Sequence, residues 1–185
     1  RDYYVPMPRA EGAFDKLTHC GVYGISCSMQ ALAALYEHDI QYYAQLNFEG
    51  LEKLVDAIGG ITVESDVAFT LYKNVGKIKV GENNLNGKLA LAYARTRKGL
   101  DGGDLARGNH QMQVIKAIVD KATSGTTILT NYTAIMDSID GMFVMNVPMS
   151  LIGEVMKRQL ADMSGWNIVS FSVRGEGGNY ECYSA

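Results

Sequence analysis

Two neighbouring stretches hold the side chains best suited to chemistry: Ala92-Tyr-Ala-Arg95-Thr-Arg97, then Gly103-Asp104-Leu-Ala-Arg107-Gly-Asn-His110-Gln111. If the second is helical, each residue advances about 100° around the axis. With Asp104 at zero, Arg107 then falls near about −60°, Gln111 near about −20°, and Ile115, Ile118 and Ala122 within about 40°. The spacing therefore predicts that Asp104, Arg107 and Gln111 continue the inward stripe of that helix. Charges facing inward are costly unless they are paired or bound to something. One outcome is an internal Asp104–Arg107 ion pair. The other is an anion site, because a helix N-terminus offers free N–H groups and partial positive charge. Arg95 and Arg97, two apart, would lie on one side of an extended segment and add planar guanidinium donors. A pyrophosphate satisfies such a cluster through charge-assisted bonds of about 1.5–3 kcal/mol each. Asp104 would then suit a divalent cation bridging phosphate oxygens.

The other candidates are weaker. Arg1-Asp2 reads as an exposed pair, Asp56 before Gly59-Gly60 as a capping or turn residue, and Lys16 and His19 as loop residues. His19, His38 and His110 share no metal-ligand spacing, and there is no CxxC. Cys20 and Cys27 would stand about 10 Å apart on a single helix, too far to bridge. With Cys182 they read as small buried hydrophobes.

These residues need a frame of alternating elements. The sequence predicts a strand end near Tyr3-Tyr4, a helix from Tyr23 to Glu37, a strand from Ile40 to Asn47, and a helix from Phe48 to Ile58 stopped by Gly59-Gly60. Ile61–Val63 reads as a strand, 66–86 as a hairpin or exposed loop, and 87–96 as a helix. Helices are expected over 104–124, 127–139 and 150–162, with a late strand over 166–173. The alternation argues for an α/β fold.

The chain has 185 residues, 47% hydrophobic and 20% charged, with a formal net charge of −3. That is enough for one domain with a core, and it lacks the basic footprint of a nucleic-acid binder. No apolar run of about 18 residues occurs to span a membrane. The opening residue is Arg1 rather than methionine, which reads as a processed piece, so missing targeting signals say little.

Taken in order, five blocks are informative together: Arg1-Asp2-Tyr-Tyr-Val, Lys16-Leu-Thr-His19, Val55-Asp-Ala-Ile-Gly-Gly-Ile-Thr-Val63, Leu85-Asn-Gly-Lys-Leu-Ala-Leu-Ala-Tyr-Ala-Arg-Thr-Arg97, and Asp104-Leu-Ala-Arg107 with Gln111. This set resembles the LytR–CpsA–Psr family of bacterial cell-envelope enzymes, most densely before Lys121. The resemblance implies a three-layer α/β/α sandwich around a mixed central sheet. Residues 1–185 would form a single catalytic domain, tethered outside the cell by an N-terminal membrane anchor. It also implies a phosphotransferase that moves a glycopolymer (wall teichoic acid or capsular polysaccharide) from a polyprenyl pyrophosphate carrier to peptidoglycan.

Carried over position by position, the resemblance assigns pyrophosphate binding to Arg1, Arg95, Arg97, Arg107 and Gln111. Arg107, Asp104 and Asp2 become the catalytic residues, and Asp104 the ligand of Mg²⁺ (or Mn²⁺). Whether Asp2 or Asp104 takes the acceptor proton is left open, since a base and a metal ligand look alike in sequence. The family's upstream Arg-Ser-Asp-type motif precedes the point where this chain starts, so the expected domain is truncated at its N-terminus, without one metal ligand and one strand. A lipid groove is expected along the helix Tyr23–Glu37 and the Met142–Met156 stretch, where core packing is the competing role. The alternatives are hydrolysis of the same pyrophosphate and a non-catalytic polyprenyl-lipid binding module. The older association of the family with transcriptional regulation fits poorly with the acidic balance of the chain.

Overall fold

The computed structural model describes residues 3–9, 13–97, 101–123, 143–162, 165–170 and 178. Arg1, Asp2, Cys182 and the helix expected over 127–139 lie outside the described residues. The chain divides into two compact units, residues 1–43 with 171–185 and residues 44–170.

In the first unit, β1 (Tyr4–Pro6) pairs antiparallel with β2 (Phe14–Lys16), from Tyr4 opposite Lys16 to Pro6 opposite Phe14. A 3₁₀ turn (Leu17–Tyr23) leads into α1 (Ile25–Tyr36). The expected single helix from Tyr23 is thus shorter, because Gly24 adopts φ 95°, a left-handed conformation that breaks the backbone between the two segments. That break also removes the premise that Cys20 and Cys27 share one helix. Both thiols are free and enter one buried cluster with Val5, Met7 and Ala31. The Cys20 thiol donates to Met7 Sδ at 3.5 Å. Buried Asp15 accepts from the Lys16 N–H at 2.7 Å and from His19 Nδ1–H at 2.8 Å, so His19 satisfies a buried carboxylate.

The second unit carries Arg95, Arg97 and Arg107. It begins with β3 (Ala44–Leu46), which pairs with β8 (Phe143–Met145) over three residues only, so the strand expected from Ile40 is confined to its C-terminal half. In α2 (Phe48–Ala57), Asn47 caps the N-terminus by accepting from the Gly50 N–H at 2.7 Å. After Gly59-Gly60, β4 (Ile61–Ser65) pairs antiparallel with β7 (Gly81–Leu85), Ile61 opposite Leu85 and Ser65 opposite Gly81. Alternate residues of both strands are buried, the period of a half-covered sheet. The strand β7 was hidden in sequence by its Glu-Asn-Asn composition. Asn83 is tolerated inside because its side chain bonds Lys79 N–H and the carbonyls of Lys79 and Gly81, all within 3.0 Å. Between the two strands, β5 (Phe69–Thr70) and β6 (Lys77–Ile78) form the expected hairpin around a 3₁₀ turn at Tyr72–Asn74.

Helix α3 (Gly87–Arg95) is capped twice: Asn86 accepts from the Leu89 N–H, and Asp56 of α2 accepts from the Gly87 N–H at 2.7 Å. A Cβ on Gly87 would come 2.1 Å from the Glu52 carbonyl oxygen, so α3 packs on α2 at a distance only glycine allows. The long α4 (Asp104–Thr123) packs on α3 and β4, and its Val114 joins Val55, Ile58, Ile61, Val63 and Tyr93 in one core. α5 (Met149–Asp162) follows β8. The late strand expected over 166–173 is absent from 165–170, and 171–173 lie outside the described residues. Trp166 has no ladder partner there; its indole N–H donates instead to Gln159 Oε1 of α5 at 2.6 Å. The order of helices and antiparallel ladders is mixed α/β, as expected.

Candidate functional site

The helical wheel located the right helix with its inward face displaced. The residues of α4 that meet the core are His110, Val114, Ala117 and Ile118, a stripe centred roughly 90° from Asp104. Ile115, expected inside, is exposed, and so is Gln111. Arg107, at about −60°, falls within that stripe and is 21% exposed, while Asp104 stands on its flank, 43% exposed. Packing against α3 and β4 decided this rotation, which the apolar pattern alone left ambiguous.

The ion pair between Asp104 and Arg107 forms, across one turn at the start of α4. Gln111, one turn further on, donates from Nε2 to the Ala94 carbonyl at 3.3 Å. That bond ties α4 to the end of α3, one residue before Arg95. The expectation that Arg95 and Arg97 share an extended segment is corrected: Arg95 is the last residue of α3, and the extended backbone starts at Thr96. Arg97 is exposed.

Arg95 is held differently from Arg107. Its Cζ lies 4.4 Å from the centroid of the Phe48 ring and 4.5 Å from that of Tyr72. Nη2 donates to the Tyr72 hydroxyl at 3.5 Å. Among the described residues no carboxylate pairs with it. Thr96, buried, receives the Tyr72 N–H on its hydroxyl at 2.8 Å and donates that hydroxyl to the Ala92 carbonyl at 2.8 Å.

The arrangement offers guanidinium donors from the end of α3 and the start of α4. Arg1 and Asp2 lie outside the described residues. Among the described residues no group of three or more His, Cys, Asp or Glu is placed to hold a metal ion. Of the acidic residues expected at the site, Asp104 is the one among the described residues, and it is paired with Arg107; Mg²⁺ takes one or two carboxylates beside substrate phosphates and keeps several waters.

A second feature was not found from sequence. A cavity of about 380 Å³ is lined by Glu64, Asp66, Asp101, Tyr93, His110 and Gln113 among others, with three carboxylates and no lysine or arginine. Its charge disfavours a pyrophosphate. His110, dismissed as a lone histidine, stacks on Tyr93 at 4.3 Å and on Phe69 at 5.2 Å. Burial holds its imidazole below the usual value, partly offset by a hydrogen bond with the Tyr93 backbone. Burial, with the charge of Asp66, pushes the Tyr93 phenol up to about 12. Its hydroxyl donates to Gln113 Oε1 at 2.6 Å. Sequence carries one faint signal for the missed Phe48 and Tyr72: aromatic residues beside Asn and Lys, where a core aromatic would have apolar neighbours.

Comparison with known proteins places these features in a family. The LytR_cpsA_psr family profile matches residues 1–184. The chain is 35% identical over 154 residues to the polyisoprenyl-teichoic acid–peptidoglycan teichoic acid transferase TagT of Bacillus subtilis (strain 168), covering 80% of this chain and 46% of that protein. It is 32% identical over 186 residues to the TagU protein of the same description from Oceanobacillus iheyensis, covering 96% of this chain and 55% of that one. The chain thus spans about half the length of the curated relatives it matches. A solved structure described as TagT bound to LIIa-WTA superposes with a TM-score of 0.71 at 28% identity, over 86% of this chain and 60% of that one. With the ordered motifs, the α/β fold and this match along nearly all of its length, the chain belongs to the LytR–CpsA–Psr family.

Proposed function

We propose that this chain belongs to an Mg²⁺-dependent phosphotransferase that moves a glycopolymer, wall teichoic acid or capsular polysaccharide, from a polyprenyl pyrophosphate carrier to peptidoglycan. The place of action is the outer face of the cell membrane, with tethering by an N-terminal anchor as part of the same proposal. The observation that carries the reading is that two arginines on successive helices are held differently: Arg95 against two rings at the end of α3, and Arg107 on Asp104 at the start of α4. The names of the relatives, teichoic acid transferases acting on a polyisoprenyl-linked donor and peptidoglycan, supply the substrate class.

In this reading Arg1, Arg95, Arg97 and Arg107, with Gln111, bind the pyrophosphate and stabilise the charge that develops during transfer. A hydroxyl oxygen of the acceptor sugar bonds to the phosphorus on the glycopolymer side. The bond from that phosphorus to the bridging oxygen breaks, and polyprenyl phosphate leaves. The hydroxyl proton passes to a carboxylate, Asp2 or Asp104. Asp104 would hold Mg²⁺, which supplies charge neutralisation on the phosphate oxygens.

The test is turnover of a polyprenyl pyrophosphate glycolipid by this chain and by a version extended N-terminally, with Mg²⁺ or EDTA, with and without peptidoglycan. Metal-dependent appearance of polymer on peptidoglycan supports the transferase. Release of polymer phosphate without acceptor, unchanged by adding it, supports a hydrolase instead. Lipid binding with no turnover in either version supports a binding module.

A further inference from the structure

Phe48 and Tyr72 are large aromatic side chains that remain 59% and 38% exposed, on two different elements, the first turn of α2 and the turn after β5. Neither belongs to the buried core. What they share is the Arg95 guanidinium, with Cζ within 4.5 Å of both ring centroids. An aromatic ring attracts a cation through the negative charge of its face, and a planar guanidinium so held keeps N–H groups for in-plane donation beside the one that Nη2 gives the Tyr72 hydroxyl. The ring holds the charge without neutralising it. A carboxylate would also hold Arg95, yet an incoming phosphate would then have to compete with that carboxylate, as it must at Arg107.

Tyr72 is itself fixed from the arginine motif. Its N–H donates to the hydroxyl of Thr96, the residue between Arg95 and Arg97, and Thr96 in turn donates to Ala92 inside α3. The two residues after Tyr72, Lys73 and Asn74, both take positive φ, 59° and 56°, a conformation non-glycine residues adopt only where surroundings enforce it. The turn is closed by Leu71 N–H to the Gly76 carbonyl and by Asn74 N–H to the Leu71 carbonyl, each at 2.9 Å.

We infer that Phe48, Tyr72 and Thr96 are positioning residues that hold the Arg95 guanidinium in a fixed, un-neutralised orientation for an in-plane phosphate. Phe48 and Tyr72 act directly on the guanidinium, and Thr96 acts through Tyr72. This rests on the anion-site reading above, and it assigns to the central residue of the Arg-Thr-Arg motif a role distinct from that of either arginine.

The experiment uses the whole chain with inorganic pyrophosphate as probe, and reads both affinity and the NMR signals of the Arg95 guanidinium. In the wild type, restricted rotation about the Cζ–Nε bond should give separate Nη signals for Arg95. In Phe48→Leu/Tyr72→Leu those signals should merge, pyrophosphate should bind about 10-fold more weakly or worse, and KM for a pyrophosphate-linked donor should rise more than kcat falls. Tyr72→Phe retains the ring and should restore both readings. Thr96→Val should weaken binding in the same direction, with Tyr72→Phe/Thr96→Val no better than Thr96→Val alone. Unchanged affinity in the double leucine variant, at unchanged melting temperature, overturns the inference. Failure of the wild type itself to bind pyrophosphate, while Arg95 remains ordered, overturns the anion-site reading and the positioning role with it. Because both rings are exposed, a large loss of thermal stability in the leucine variant would likewise overturn it, by marking the rings as structural.

Discussion

Arg107 reaches back one turn along α4 to the carboxylate of Asp104, so one arginine of the site is paired before any anion arrives. A partly exposed pair at this spacing contributes little to stability, about 0–1 kcal/mol. Its consequence is for binding: an anion or a cation arriving at the site must share or replace one member of the pair.

Arg107→Ala should therefore leave folding nearly unchanged and remove a stabilising charge from the transferring phosphate. Turnover of a polyprenyl pyrophosphate donor should fall by about 10²–10³. A folded variant that turns over near the wild-type rate would take Arg107 out of the site. The melting temperature measured alongside separates loss of chemistry from loss of fold.

Gly87→Ala tests the packing that carries the site. The added methyl would meet the backbone of Glu52 at 2.1 Å, and backbone cannot swing aside as a long side chain can. The α2–α3 contact and the Asp56 cap on the Gly87 N–H would be forced apart together. A destabilisation of about 2–4 kcal/mol is expected in urea unfolding. A change under about 0.5 kcal/mol would mean that α3 can slide without penalty.

His110 gives the fold a pH dependence of defined sign. Burial lowers its folded pKa below the ordinary 6.5, so the unfolded chain binds that proton more readily than the folded one. The stability supplied by the neutral ring is complete above about pH 6.5 and is lost as pH falls through the folded value. His110→Phe keeps a ring in the stack with Tyr93 and Phe69 and removes the titration. Urea midpoints between pH 5 and 8 should fall toward acid less steeply in the variant; equal slopes would show that the folded and unfolded chains bind the His110 proton equally.

Cys20 should resist alkylation. Burial, with the neighbouring Cys27, pushes its thiol up to about 11, and the thiolate is the reactive form. Iodoacetamide at pH 8 should leave Cys20 and Cys27 unmodified in the folded chain and label both in denaturant, read by peptide mass. Rapid labelling in the folded state would show that this core opens easily.

Much of the frame around the site was legible. The Gly59-Gly60 stop and the apolar period of α2 are local signals, and the helix they bound is present. Asp56 reads as a capping or turn residue, and its carboxylate caps α3. Other elements failed where local pattern meets a partner far away. The strand expected at Trp166 alternates correctly but has no ladder over 165–170, and β7 pairs with β4 despite a composition that suggests a loop.

Five blocks in order carry the family, and residue type and spacing along one chain are enough for that and for the identity of the charges. Which way those charges face follows from packing alone. The rotation of α4 came from its packing on α3 and β4, and the thiols came together through a backbone break at Gly24. The partners of Arg95 come from residues 48 and 72, contributed by two separate elements. Such contacts depend on how elements settle against one another, and a periodicity read along one helix contains no term for that.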